Sequence, residues 1–285
     1  MTKELQKHID KIIREQNSNG LPEFEGYSPF EMESVLYNTF GKNSPIRFLE
    51  LSESEYRNIP ILNQIKYLLQ LIEKQGEIKL TNKGFLPTKI VAEIYKQGFI
   101  KDELIELGIS KLYKETDAIA INLTRILMEI SGLAKKRNNK LSLTKKGKTI
   151  LGNDFDLLLL IFETFGNKFN WAYYDEYGEN NIGQLGFGFS LILLSKYGNE
   201  KRADKFYSDK YFKAFPQLIN DSLDPIFGTV EEYAGSCYSV RTFERFLEYF
   251  GIIRIERGIK FIDKIFIFKT ELFDRLIKIT PHNMR

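Results

Sequence analysis

Three acidic side chains follow a run of aromatic ones in the middle of the chain. Asp175, Glu176 and Glu179 come after Phe162, Phe165, Phe169, Trp171, Tyr173 and Tyr174. Carboxylates at the mouth of an aromatic wall can hold a sugar, a cation or a peptide, because the rings take apolar or cationic groups and the acids orient them. Trp171, Tyr174, Asp175, Glu176 and Glu179 therefore form a candidate ligand or docking surface. The same rings at the same spacing would also fill a junction between packed elements. An enzyme working through these carboxylates alone is the least favoured reading. The two histidines, His8 and His282, sit near opposite ends of the chain, whereas a Ser-His or Cys-His pair or a histidine metal site needs one in the interior. The single cysteine, Cys237, excludes a disulfide framework and a Cys-rich metal site. Gly186-Phe187-Gly188-Phe189-Ser190 has the look of a phosphate loop but lacks a third glycine, a lysine and a preceding strand, so close helix packing is the expected role. No catalytic residue, metal or cofactor is assigned.

The second chemistry is electrostatic. Between Gly132 and Ile150 lie Lys135, Lys136, Arg137, Lys140, Lys145, Lys146 and Lys148 with no acidic residue, a local charge of +7. Residues 151–200 carry −5, whereas the whole chain is only +3 at pH 7. A dedicated nucleic-acid coat would be more basic throughout. The local excess suits a surface that meets phosphates, and it equally suits a solvated hairpin using lysine to protect its edge. Lys135, Lys136, Arg137, Lys140, Lys145 and Lys146 are the candidate nucleic-acid contacts.

These residues must be carried by some scaffold, and the apolar pattern describes one. Leu62, Ile65, Leu68, Leu69 and Ile72 recur at helical spacing before Gly76 and Ile78-Lys79-Leu80-Thr81-Asn82-Lys83-Gly84. Ile119, Leu123, Ile126, Leu127 and Ile130 do the same before Gly132, a hairpin turning at Asn138-Asn139, and Leu141-Ser142-Leu143-Thr144-Lys145-Lys146-Gly147. The glycine can close the helix in a left-handed conformation, the alternating apolar residues suit a strand with one face on a core, and Thr81 or Thr144 can serve as turn or N-cap. Helix, hairpin and Leu-Thr-x-Lys-Gly read as the ending of a winged-helix unit. A degenerate copy follows: Val240, Phe243, Phe246, Leu247 and Phe250, then strands at 252–256 and 265–269 around Arg257-Gly258-Ile259-Lys260, then a helix at 271–279. The helices before these hairpins pair their few cations with acids, as in Arg125 with Asp117 and Glu129, which speaks against direct base reading.

Several segments together resemble an uncharacterised bacterial family described as plasmid open-reading-frame-like, some members of which carry an added SEC-C metal motif. They are Tyr27-Ser28-Pro29-Phe30-Glu31-Met32, Lys79 to Pro87, Phe169-Asn170-Trp171-Ala172-Tyr173, and Arg241-Thr242-Phe243 through Phe250-Gly251-Ile252-Ile253. The resemblance runs roughly from Gly26 onward and rests on the order of the motifs. It implies winged-helix-like repeats and brings no activity or catalytic residues. With one cysteine, no SEC-C site is carried over.

The expected fold is mainly α with small β-hairpins, built as tandem winged-helix-like units joined by a helical segment. The divisions are 1–58 (an N-terminal helical region), 59–151 (two winged-helix-like units), 152–228 (an apolar helical segment) and 229–285 (a C-terminal winged-helix-like unit). With 43% hydrophobic residues, 23 Phe and 15 Tyr, there is ample material for buried cores. No run approaches the ~18 apolar residues of a membrane span, and Met1 to Gln16 is a charged amphipathic helix without the apolar core of a signal peptide. A cytoplasmic, non-enzymatic binding or adaptor protein is expected, with DNA or RNA backbone as first partner and a protein–protein scaffold as the other reading.

Overall fold

The computed structural model describes residues 3–220, 223–225, 228–258 and 265–282. It is mainly helical, with small antiparallel sheets of two or three strands. The chain forms two compact units: residues 1–49, 176–248 and 253–285 make unit 1, and residues 50–175 with 249–252 make unit 2. These bounds differ from the expected divisions, because the chain leaves unit 1 at Leu49 and returns to it at Glu176.

Unit 1 begins with α1 (Lys3–Ser18), α2 (Pro29–Tyr37) and β1 (Ile46–Phe48). Ser28 caps α2 by accepting from Glu31 N at 3.3 Å, while Glu31 accepts from Ser28 N at 2.8 Å. Pro29 fills the first helical position, where its missing N–H costs nothing.

Unit 2 carries α3 (Glu53–Tyr56), α4 (Pro60–Gln75), β2 (Ile78–Lys79), α5 (Thr88–Lys96), α6 (Glu103–Glu106), α7 (Ile119–Ile130), β3 (Ala134–Arg137), β4 (Lys140–Leu143), α8 (Lys145–Ile150) and α9 (Asp154–Asn167). The two stretches that read as repeats do not each close their own hairpin. Their strands join one sheet in the order β2-β4-β3, with Ile78 opposite Leu141 and Lys136 opposite Leu141 on the other side. Two residues in β2 cannot bury an apolar face alone, so they complete the β3–β4 hairpin instead. The Leu-Thr-x-Lys-Gly motifs also diverge. Thr81 closes a turn in which Gly84, at φ 80°, donates to its carbonyl at 2.7 Å. Thr144 is the N-cap of α8 and accepts from Gly147 N at 3.0 Å. Gly147 sits so close to Leu133 that an added Cβ would lie 2.1 Å from its carbonyl oxygen. Asn138 and Asn139, at φ 50° and 55°, make the two-residue turn of the hairpin, a conformation asparagine tolerates.

Returning to unit 1, the chain forms α10 (Phe187–Tyr197), β5 (Arg202–Ala203), α11 (Asp204–Ala214), α12 (Val230–Ser239) continued by a π-helical stretch over Val240–Leu247, then β6 (Ile253–Glu256), β7 (Phe266–Lys269), α13 (Glu271–Leu276) and β8 (Ile277–Ile279). The sheet order is β5-β7-β6. Apart from the four-residue α6, which unit 1 lacks, the order of elements and the strand arrangement from α4 to β4 recur from α10 to β7. The C-terminal copy therefore extends back to Phe187, well before residue 229. Its expected turn at 257–260 falls partly on residues 259–264, which lie outside the described ones. The expected helix at 271–279 stops at Leu276, and Ile277–Ile279 pairs with Ile46–Phe48. Gly188 allows close packing, since a Cβ there would meet Val35, Thr39 and Ile46 within 2.8–3.2 Å.

Glu25 ties the start of unit 1 to α10 and α11. Its carboxylate accepts from Lys196 Nζ and Lys210 Nζ, each at 2.6 Å, and from the Tyr197 hydroxyl. Burial pushes its pKa up, but the bonds from Lys196, Lys210 and Tyr197 outweigh burial and hold it below the ordinary value. A carboxylate with a depressed folded pKa stabilises the fold above its unfolded value, and that stability is lost as pH falls through the folded value. The melting temperature of Glu25→Gln should therefore fall less than that of the wild type as pH drops below about 4.5. In unit 2, Gly147→Ala should cost about 2–3 kcal/mol by overpacking against backbone. Gly152→Ala, whose Cβ would meet nothing within 4 Å, should stay within about 0.5 kcal/mol in the same urea titration.

Candidate polyanion-binding surface

The register of the unit 2 sheet gathers the basic residues. Lys79 lies opposite Lys140, and Lys140 lies opposite Arg137. Residues directly opposite in an antiparallel pair share a face, so Lys79, Lys140 and Arg137 form one row across three strands. Lys135, opposite Ser142, falls on the same face two residues along β3. All four cations are exposed. The other face carries Ile78, Leu141, Ala134 and Leu143, all buried. Adjacent strands are about 4.8 Å apart, so the row spans roughly 10 Å. Like charges placed directly opposite destabilise a sheet, and Glu77, which pairs with Lys140, offsets part of this.

The remaining candidate cations are placed differently. Lys136 sits on the row's opposite face and donates to Gly84 O at 3.4 Å. Lys146 donates to Ser131 O at 3.1 Å, at the C-terminal end of α7. Lys145 opens α8 and is exposed. Lys79 carries no sign of its role in the sequence, where it stands alone between Ile78 and Leu80. Its exposed position in a two-residue alternation was the available signal, and only the β2–β4 pairing gives it meaning.

Helix α7, which precedes the hairpin, is closed off. Every residue from Ala120 to Arg125 is buried, as are Leu127 and Met128. Its polar side chains turn inward to a buried carboxylate, Glu115, which is 0% exposed. Glu115 accepts from Leu86 N, from Asn122 Nδ2 and from Arg125 Nε, the last at 2.7 Å. Arg125 also pairs with Glu129, and Tyr174 donates to Asn122 Oδ1 at 2.6 Å. Burial pushes the Tyr174 hydroxyl pKa well up, which keeps it a neutral donor. Gln64 of α4 donates to Ala120 O at 3.0 Å and Thr124 Oγ1 at 2.8 Å. Of α7 only Ile119, Ile126, Glu129 and Ile130 reach solvent, and none of them is a cation.

The aromatic and acidic candidates do not gather into a site. Trp171 is 4% exposed and donates from Nε1 to Phe165 O at 2.8 Å, within a cluster of Phe165, Phe169 and Phe250. It is core because its one polar atom is satisfied by backbone and its ring is covered. The Tyr174 hydroxyl is taken up by Asn122. Asp175 is half-buried at the end of unit 2, while Glu176 and Glu179 are exposed and belong to unit 1. Among the described residues, no group of three or more His, Cys, Asp or Glu side chains could hold a metal ion. No helix among them is long and apolar enough to cross a membrane. His8 is exposed on α1, and His282 contacts Glu31 at 2.7 Å. Cys237 is buried.

Residues 57–156 match the Y4jL N-terminal domain family. The match falls within unit 2 and covers the sheet, α7 and the buried carboxylate, a shorter stretch than the resemblance noted from the sequence. No curated protein and no solved structure is significantly similar to the chain.

The inward turn of α7 has a measurable energetic signature. Arg125→Met leaves Glu115 without its buried cation and should cost about 3–5 kcal/mol. Tyr174→Phe should cost about 1–2 kcal/mol by leaving a buried amide oxygen with one bond fewer. Because Tyr174 and Arg125 meet through Asn122 and Glu115, the double variant should be non-additive by about 0.5 kcal/mol or more, on the scale expected of a shared network, as read by urea denaturation.

Proposed function

We propose that unit 2 is a winged-helix unit that contacts the backbone of duplex nucleic acid through the solvent face of its sheet and reads no bases. The observation that carries this is the row Lys79–Lys140–Arg137, three exposed cations facing the same way with one acid against them. The order helix, strand, helix, helix, hairpin, interrupted by the short α6, together with the sheet order β2-β4-β3 supports the winged-helix assignment. In that architecture α7 holds the place of the recognition helix. Its burial removes base readout and leaves phosphate contact as the chemistry available to the unit. The absence of exposed aromatic rings from the row (Lys79, Lys140, Arg137, Lys135) favours a duplex over a single strand, which needs stacking platforms. On this reading the protein is a non-enzymatic binding or adaptor protein.

A second reading has its own observation. Leu104, Leu107, Ile109 and Tyr113, between 51% and 70% exposed, lie close together in sequence on unit 2, and such apolar exposure often marks a protein partner. The two readings are separated by a binding experiment on the sheet face.

Fluorescence anisotropy with two duplexes of unrelated sequence should give affinities equal within about twofold, both falling steeply with salt. Replacing Lys79, Arg137 and Lys140 together by Gln should weaken both equally and reduce the slope of log K against log salt by about 0.9 for each phosphate that is no longer neutralised. Unchanged binding in the triple variant, or strong preference for one duplex, would overturn the proposal.

A further inference from the structure

On unit 2, α8 and the start of α9 border an open groove of about 560 Å³ whose lining includes none of Lys79, Arg137 and Lys140. It is lined by Lys145, Lys146, Thr149, Ile150, Asn153 and Asp156. The volume falls in the range of small-molecule sites. Its charged groups are arranged unusually. Lys145 and Lys146 share the groove with the Asp156 carboxylate, yet neither lysine pairs with it. Asp156 accepts one side-chain bond, from Asn153 Nδ2 at 2.7 Å. Lys146 uses one of its three protons on Ser131 O at 3.1 Å. Lys145 makes no side-chain hydrogen bond or ion pair among the described residues. Ammonium and carboxylate groups bordering one space without closing across it leave room for a ligand with both an anionic end and a donor end.

We propose that this groove binds a nucleoside phosphate. The phosphate is held by the Lys145 and Lys146 ammoniums, where charge-assisted bonds are strongest. The Asp156 carboxylate, an acceptor only, takes the sugar hydroxyls. Ile150 supplies the apolar surface between them, against which the sugar or base lies. The Thr149 hydroxyl donates to Lys145 O at 3.0 Å and keeps an acceptor lone pair for the ligand. Inorganic phosphate alone leaves most of the volume empty and gains nothing from Asp156. A continuous phosphate backbone is disfavoured as well, since the Asp156 carboxylate in the first turn of α9 repels it. The ligand is therefore a single nucleotide unit, either free or at the end of a strand.

Calorimetric titration of the whole chain with adenosine 5′-monophosphate tests this, with inorganic phosphate and adenosine as controls. The nucleotide should bind at least about tenfold more tightly than either control, and Lys145→Ala should weaken it about tenfold, the worth of one charge-assisted bond. Asp156→Asn should weaken adenosine 5′-monophosphate more than its 2′,3′-dideoxy analogue. If the source is a strand end, a duplex with a 5′-phosphorylated overhang should bind more tightly than a blunt duplex and lose that margin in Lys145→Ala; if it is a free nucleotide, the two duplexes should bind alike. The variant lacking Lys79, Arg137 and Lys140 should keep its nucleotide affinity, which separates this site from the sheet face. Nucleotide binding no tighter than phosphate, or unchanged in Lys145→Ala, would overturn the proposal.

Discussion

The buried carboxylate of Glu115 is the constraint on which unit 2 depends. A carboxylate removed from water must be matched by donors, and here backbone, amide and guanidinium supply them from Leu86, Asn122 and Arg125. Two of these partners belong to α7, so satisfying the acid fixes the rotation of that helix. Asn122 and Arg125 point inward, and Glu129 and Ile130 at the end of the helix stay open to solvent. The residues before α7, the turn after β2 and Tyr174 at the far end of the unit are thereby tied to one point. With α7 held in this way, the exposed face of the sheet carries the unit's charged row.

The sheet then becomes the surface of interest for a geometric reason. Two-residue β2 pairs with β4, and a two-residue asparagine turn sets the register of β3 against β4. A slip of one residue would send Lys140 and Arg137 to the core face and Leu141 to solvent. The apolar alternation that buries Ile78, Leu141 and Leu143 therefore also fixes the cationic row. Unit 1 has the same strand order without a row of cations opposite one another. In its sheet Arg202 lies opposite Ile267, and Arg254 lies opposite Phe268. Its equivalent helix is also enclosed, with Arg241 at 1% exposure donating to Gly178 O at 2.9 Å and Asn180 O at 2.8 Å. The two units thus share a strand order and differ in what their sheets expose.

Much of this was legible in the sequence, and the remainder failed for identifiable reasons. The α4 stripe, the Asn138-Asn139 turn and the cap at Ser28 follow from local chemistry and stand where the pattern put them, whereas α7 forms as expected but buries Ala120, Ile121 and Thr124 and leaves Ile130 of its expected stripe exposed. The pairing of β2 with β4 is non-local, so two segments that belong to one sheet read as two copies. The strand Ile277–Ile279 continued an apolar helical stripe and gave no separate signal, because its partner Ile46–Phe48 lies at the other end of the chain. The inward turn of Arg125 and Asn122 was hidden for the same reason: their partner Glu115 looks like any surface acid until Leu86 and α7 close around it. Of the aromatic run, Phe162, Phe165, Phe169 and Trp171 are buried, Tyr174 is half-buried and Tyr173 is exposed, a division their spacing does not announce.

The central claim is that unit 2 meets nucleic acid with its sheet while α7 stays covered. Hydrogen–deuterium exchange of the whole chain, with and without duplex DNA, tests this most directly. Slowed exchange is expected at residues 134–142 and in β2, where edge amides lie under the bound backbone, with no change over 119–130. Altered exchange across 119–130, or none in the hairpin at saturating duplex, would contradict it.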